Sequence, residues 1–117
     1  MDSKHAIAVL AALAQPTRLD TFRLLVAREP EGVPVGELAR LVDVPQNTMS
    51  THLAILARAE LITGERRSRS IIYRASLDRF RQIALFLLKD CCGARPELCA
   101  PLFAELNSCR PPRKELA

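Results

Sequence analysis

Residues 35–67 read VGELARLVDVPQNTMSTHLAILARAELITGERR, and the rest of the chain is organised around this stretch. Its first part, GELARLV, sets Leu38, Ala39 and Val42 at the one-face spacing of a short helix. Asp43-Val44-Pro45 ends that helix, because the residue before a proline is pushed out of the helical region. Pro45 then suits the first turn of the next one. The second helix starts near Gln46 and collects Met49, Leu53, Leu56 and Ala57 on one side. At about 100° per residue, Asn47, Ser50, Thr51 and Arg58 fall on the other side, with Thr48 and His52 on its flank. A strand follows and leads into an arginine-rich hairpin.

The exposed face of the second helix is notable for what it lacks. Solvated helix faces normally carry lysine and glutamate, which are good helix formers. Here the face carries short amides and hydroxyls, residue types that favour caps and turns. They make sense where a helix must lie close against another surface and offer it donors and acceptors. The major groove of DNA is such a surface and admits a helix. The competing reading is an ordinary pair of helices with a polar exterior.

Charge placement bears on that choice. The net charge is +4, and the window from Glu65 to Arg81 holds all of it: Arg66, Arg67, Arg69, Arg74, Arg79 and Arg81 stand against Glu65 and Asp78. A local positive patch is what a polyanionic partner requires. A merely solvated hairpin would more often mix lysine with glutamate.

The chain has 117 residues, enough for one domain with a modest core. Apolar residues make up 49%, but there are four Phe, one Tyr and no Trp, so aliphatic side chains must fill a mainly helical core. AIAVLAALA, near the N-terminus, is too short to span a bilayer and lacks the basic flank of a signal peptide, so the expected location is cytoplasmic, with no membrane partner. There, four cysteines argue for thiol or metal chemistry rather than a disulfide framework.

Outward from the central stretch, residues 4–14 read as a first helix and Pro16 opens a second, with Leu19, Phe22, Leu25 and Val26 on its buried stripe. EPEGVP is a loop, and Val33 to Val35 reads as a short strand. LITGERR and SIIYRA form a β-hairpin about a polar turn near Ser68. Ser76 caps a long helix, LDRFRQIALFLLKDCC, which Gly93 closes. A short helix from Pro96 follows. The apolar stripe of the long helix is wider than one small core needs, and the first helix is apolar on most sides. Both features predict a two-fold dimer through these two helices, against the alternative that both pack only on their own core. One domain over 1–109 is expected, with 110–117 a disordered tail.

This order of elements resembles a winged helix-turn-helix repressor, a mainly α fold of five or six helices and one hairpin wing. More closely, it is similar to the ArsR/SmtB family of metal- and metalloid-responsive repressors. The likeness is carried by LAQPTRLDTFRLL (13–25), VGELARLVDVPQNTMSTHLAILARAELI (35–62) and GERRSRSIIYRA (64–75). It implies a homodimer that binds double-stranded operator DNA and is not an enzyme. Residues 46–59 correspond to the family's base-reading helix, with Gln46, Asn47, Thr48, Ser50, Thr51 and His52 as its DNA-facing set. Thr51 stands where members often carry arginine. His52, at the edge of the buried face, has a structural hydrogen bond as its competing role. Arg66, Arg67 and Arg69 form the wing.

Two sensing sites known in the family are absent: the first helix of the helix-turn-helix has no cysteine, and the long helix has no histidine. What remains is DCCGARPELC, with Cys91, Cys92 and Cys99, followed by Cys109. Thiolates select thiophilic ions, and three without a nearby His suit pyramidal arsenite or antimonite better than tetrahedral zinc. The spacing resembles the C-terminal arsenite site of one branch of the family, which assigns Cys91, Cys92 and Cys99 as ligands. Adjacent cysteines on a helix diverge by about 100°, so the helix end must unwind for both to bind one ion. The implied function is a repressor released by As(III), Sb(III) or a methylated arsenical, with no obligatory cofactor. The alternatives are a thiol redox sensor and a cadmium, lead or zinc sensor. No catalytic base, nucleotide loop or redox CxxC motif supports an enzyme.

Overall fold

The computed structural model describes residues 1–91 and 96–108. Among them are six helices and three strands: α1 (Ser3–Leu13), α2 (Pro16–Ala27), β1 (Val33–Pro34), α3 (Val35–Val42), α4 (Gln46–Arg58), β2 (Ile62–Arg67), β3 (Ser70–Ala75), α5 (Leu77–Cys91) and α6 (Pro96–Ser108). Met1–Ala84 form one compact unit and Leu85–Ala117 a second. The fold is a winged helix-turn-helix, as the order of motifs implied. Gly93 and the tail 110–117 lie outside the described residues.

Local chemistry sets the helix ends. Asp2 caps α1, its carboxylate accepting from the backbone N–H of His5 at 2.9 Å and lying 2.6 Å from the His5 ring. That backbone bond, helped by the ring, holds the Asp2 carboxyl below its ordinary pKa. Gln15 caps α2 by accepting from the Arg18 N–H at 2.8 Å, and Pro16 occupies the first turn, where its missing N–H costs nothing. Helix α3 ends on Asp43 in the left-handed region, φ 65°, and the Val44 N–H returns to the Ala39 carbonyl at 3.0 Å. The break before Pro45 is therefore made by a left-handed aspartate, a residue type whose short side chain tolerates that conformation.

The core of the first unit lies where α1, α2, α3 and α4 meet the sheet. Leu25, Leu38, Met49, Leu53, Leu56 and Leu61 are fully buried, with Val9, Val33 and Ile62 beside them. Thr21, the one buried polar residue among those described, donates to the Thr17 carbonyl at 2.7 Å and sits 3.8 Å from Met49 Sδ, seating α2 on α4. Phe22 meets Phe80 of α5 with ring centroids 5.8 Å apart.

Three residues expected inside are outside. Ala57 is exposed on α4. Leu19 and Val26 are 43% and 39% exposed, because α2 turns Thr21, Phe22 and Leu25 inward instead. They line an open apolar cavity of about 490 Å³ with Leu77 and Phe80.

The sheet is antiparallel in the order β1-β3-β2. In β2 and β3, Ile62 pairs with Ala75 and Arg67 with Ser70, so Ser68 and Arg69 make the connection, with Ser68 at φ 55°. β1 pairs Val33 with Tyr73, which adds a third strand to the hairpin's root. Gly32 leads into β1 at φ 80°, and a Cβ there would stand 2.7 Å from the Tyr73 carbonyl oxygen, so no side chain fits.

Candidate nucleic-acid interface

Helix α4 has the two faces its sequence implies. Met49, Leu53 and Leu56 are buried, while Gln46, Asn47, Thr48, Ser50, Thr51 and Arg58 are exposed. Its N-terminus follows Pro45, which makes no side-chain cap, so the first turn carries the partial positive charge of the helix dipole. Some polar groups are already engaged. Asn47 Oδ1 accepts from the Thr48 N–H at 2.9 Å, which leaves the Asn47 amide hydrogens to donate elsewhere. The Thr51 hydroxyl donates back to the Asn47 carbonyl at 3.2 Å, leaving its oxygen as an acceptor. Gln46 Oε1 lies 3.6 Å from where a Cβ on Gly36 would be, beside the start of α3. The face therefore offers amide donors and hydroxyl acceptors in one row.

His52 is half-buried on the flank. Its Nδ1 lies 3.4 Å from Arg18 Nη1 of α2, and Arg18 Nε donates to the Ala12 carbonyl of α1 at 2.6 Å. This contact had no signal in the sequence, because Arg18 and His52 are 34 positions apart.

The arginines of the basic window separate into two sets. Arg74 is bidentate on Glu29, at 2.7 and 3.2 Å, and this contact raises the arginine's already high pKa. Arg79 donates to the Ala59 carbonyl at 3.2 Å, satisfying a group at the C-terminal end of α4, and to Gln82 at 3.1 Å. Arg81 pairs with Asp78. These three belong to the architecture or to local pairs, which corrects the reading of the whole window as one patch. Towards the tip, Arg66 and Arg69 are exposed and make no ion pair among the described residues, and Arg67 bonds to Glu65 at 3.2 Å.

The reading helix and the hairpin are joined through backbone. The Leu61 N–H bonds to the Leu56 carbonyl at 3.0 Å, and the Ser76 N–H to the Leu61 carbonyl at 2.8 Å. Ser76 also caps α5, its hydroxyl accepting from the Arg79 N–H at 3.3 Å. The end of α4, the entry of β2 and the start of α5 thus hang on one short segment, which fixes where the arginine tip stands.

Cys92 and Cys109 lie outside the described residues, as do the side chains of Cys91 and Cys99, whose backbones belong to α5 and α6. Among the described residues, no helix is long and apolar enough to cross a membrane.

A family model described as a helix-turn-helix domain matches residues 2–65. The chain is 39% identical over 77 residues to the HTH-type transcriptional repressor SmtB of Mycobacterium tuberculosis, a match covering 66% of this chain and 55% of that relative. It therefore spans little more than half of that protein's length. Nodulation protein NolR of Rhizobium meliloti is 35% identical over 92 residues, covering 79% of this chain and 72% of NolR. The solution structure of a homodimeric winged helix-turn-helix DNA-binding domain from Mycobacterium bovis, a possible ArsR-family regulator, superposes with a TM-score of 0.61. That likeness is at 25% identity and covers 77% of this chain and 82% of the other. On these relationships and on its fold, the chain belongs to the ArsR/SmtB family of winged helix-turn-helix regulators.

Proposed function

We propose that the chain is a homodimeric transcriptional repressor that holds operator DNA with α4 and the β2–β3 tip. It lets go when a thiophilic ion is bound by Cys91, Cys92 and Cys99. The observations that carry the DNA half are the exposed row of short amides and hydroxyls on α4 and a hairpin tip with two arginines that make no ion pair among the described residues. Arginines on phosphate supply affinity and salt dependence, and the α4 side chains supply sequence choice. Dimer formation is supported by apolar residues left at the surface. In the first unit, Ile7 of α1 is 66% exposed and Leu10 is 42% exposed. In the second, Leu85 and Leu87 of α5 are 52% and 41% exposed.

The sensing half rests on donor chemistry, three thiols within nine positions and arsenite as the preferred ion. Release requires the ion to bind one dimer shape better than the other, since equal affinity for both shifts nothing.

The test is dissociation of a DNA duplex by arsenite in wild type and in Cys91→Ser, Cys92→Ser and Cys99→Ser. Each serine variant should bind DNA as wild type does and fail to release it. Normal release by all three overturns the site. Cadmium, lead or zinc acting where arsenite does not, or release only after peroxide treatment, would replace arsenite with a metal or with thiol oxidation.

A further inference from the structure

Arg18 is the most constrained charged side chain that the site so far leaves without a task. Its Nε donates to the Ala12 carbonyl at 2.6 Å, one of the last carbonyls of α1, which have no partner within the helix. That bond fixes the plane of the guanidinium. The same group then presents Nη1 to His52 Nδ1 at 3.4 Å. A guanidinium has hydrogens to give and no lone pair to receive. Facing it, Nδ1 can only accept, which favours the tautomer that carries its hydrogen on Nε2. Among the described residues, Nε2 has no hydrogen-bond partner. The ring belongs to α4, beside Thr51 and one turn after Thr48, both of which are exposed.

We propose that Arg18 is a positioning residue for DNA binding. It selects the Nε2–H form of His52, and that hydrogen is donated to an acceptor on the duplex, a phosphate oxygen at the margin of the groove. This rests on the reading of α4 as the DNA-contacting helix. A residue on the flank of such a helix meets backbone rather than base edges, and phosphate contacts set its register. Held the other way round, the ring would aim a lone pair at a phosphate and repel it. Arg18 thus acts through His52 and touches no DNA itself. Because it also holds the end of α1, it couples the placement of α1 to that of the reading helix.

Two replacements of the ring separate its nitrogens. His52→Gln brings an amide N–H₂ close to where Nε2 stands, and His52→Asn brings its amide to the position of Nδ1. With a duplex selected by the wild-type protein from a random-sequence pool, His52→Gln should bind within about threefold of wild type. His52→Asn should bind about tenfold more weakly, the equivalent of about 1.4 kcal/mol. Arg18→Leu should weaken binding in the wild-type background and add nothing in the His52→Gln background, a coupling that two independent structural losses would not show.

Nitrogen NMR of the free protein reads the ring directly, and with His5 as the other histidine the assignment takes one variant. Wild type should carry the hydrogen on Nε2, and Arg18→Leu should show a mixture. A hydrogen on Nδ1 in wild type overturns the proposal, as does wild-type binding by His52→Asn or an equal cost of Arg18→Leu in both backgrounds. If Arg18→Leu fails to fold, the ring spectrum and the two His52 variants decide. Failure of wild type to hold any duplex removes the DNA reading as well. A wrong tautomer with intact wild-type binding removes this proposal alone.

Discussion

At its root the β2–β3 hairpin holds Arg74 against Glu29, with Ile62 and Ala75 buried and β1 paired alongside. At its tip, four or more positions away along the strands, Arg66 and Arg69 stand exposed without an ion pair among the described residues. The residue type is the same at both ends. What differs is the neighbour: Glu29, in the loop after α2, reaches the root, and its side chain is 16% exposed. A guanidinium already forked onto a sheltered carboxylate has little to offer a phosphate, whereas one in water can exchange that water and release counterions from DNA. Equal charges in a sequence are therefore unequal as ligands. On the proposed function, the root serves position and the tip serves contact.

If that division is right, damage to the root should lower stability without altering how binding depends on salt. The largest effect is expected from Ile62→Ala, which opens a cavity at the first rung of the hairpin and should cost about 2–5 kcal/mol in denaturant unfolding. Gly32→Ala should come next. It forces a left-handed conformation worth about 1–2 kcal/mol, and its Cβ must also displace the Tyr73 carbonyl. A melting temperature unchanged by Gly32→Ala would mean that the entry to β1 is looser than the geometry requires. Arg74→Ala should lower the melting temperature by less than either, and leave the slope of log K against log salt at its wild-type value. A reduced slope would move Arg74 into the binding set.

The smallest effect is expected far from the hairpin, at Asp2. Its carboxyl has a folded pKa below the ordinary value, so its contribution is present above that ordinary value and is lost as pH falls through the folded one. Asp2→Ala should therefore melt slightly below wild type near neutrality, and the gap should close in acid. A gap that persists in acid would point to packing rather than to the cap.

Much of this organisation is legible in the sequence itself. The spacing of Leu38 and Ala39, then of Met49, Leu53 and Leu56, marked two helices because a helix buries one stripe and that stripe has a fixed period. The two β-rich runs about Ser68 marked the hairpin. Composition of the exposed α4 face pointed to a contacting surface, and that face is exposed as expected. What could not be read were contacts between distant positions. Glu29 and Arg74 are 45 residues apart, and nothing local to either names the other. Arg18 and His52 present the same difficulty. Periodicity also says which residues share a face without fixing how far the helix is rolled, which is why Leu19 and Val26 were placed inside and stand outside. The thiols were legible as donor chemistry alone, since sequence spacing does not say whether a helix end unwinds.

On the proposed function, the tip and not the root holds phosphate. Salt titration of duplex binding by wild type, the Arg66→Ala/Arg69→Ala pair and Arg74→Ala tests it most directly. Each lost phosphate contact should flatten the slope of log K against log salt by about 0.9, so the tip pair, four contacts in a dimer, should flatten it by about 3.6 with no change in melting temperature. Arg74→Ala should leave it intact. A wild-type slope in the tip pair, or a flattened one in Arg74→Ala, would contradict the division.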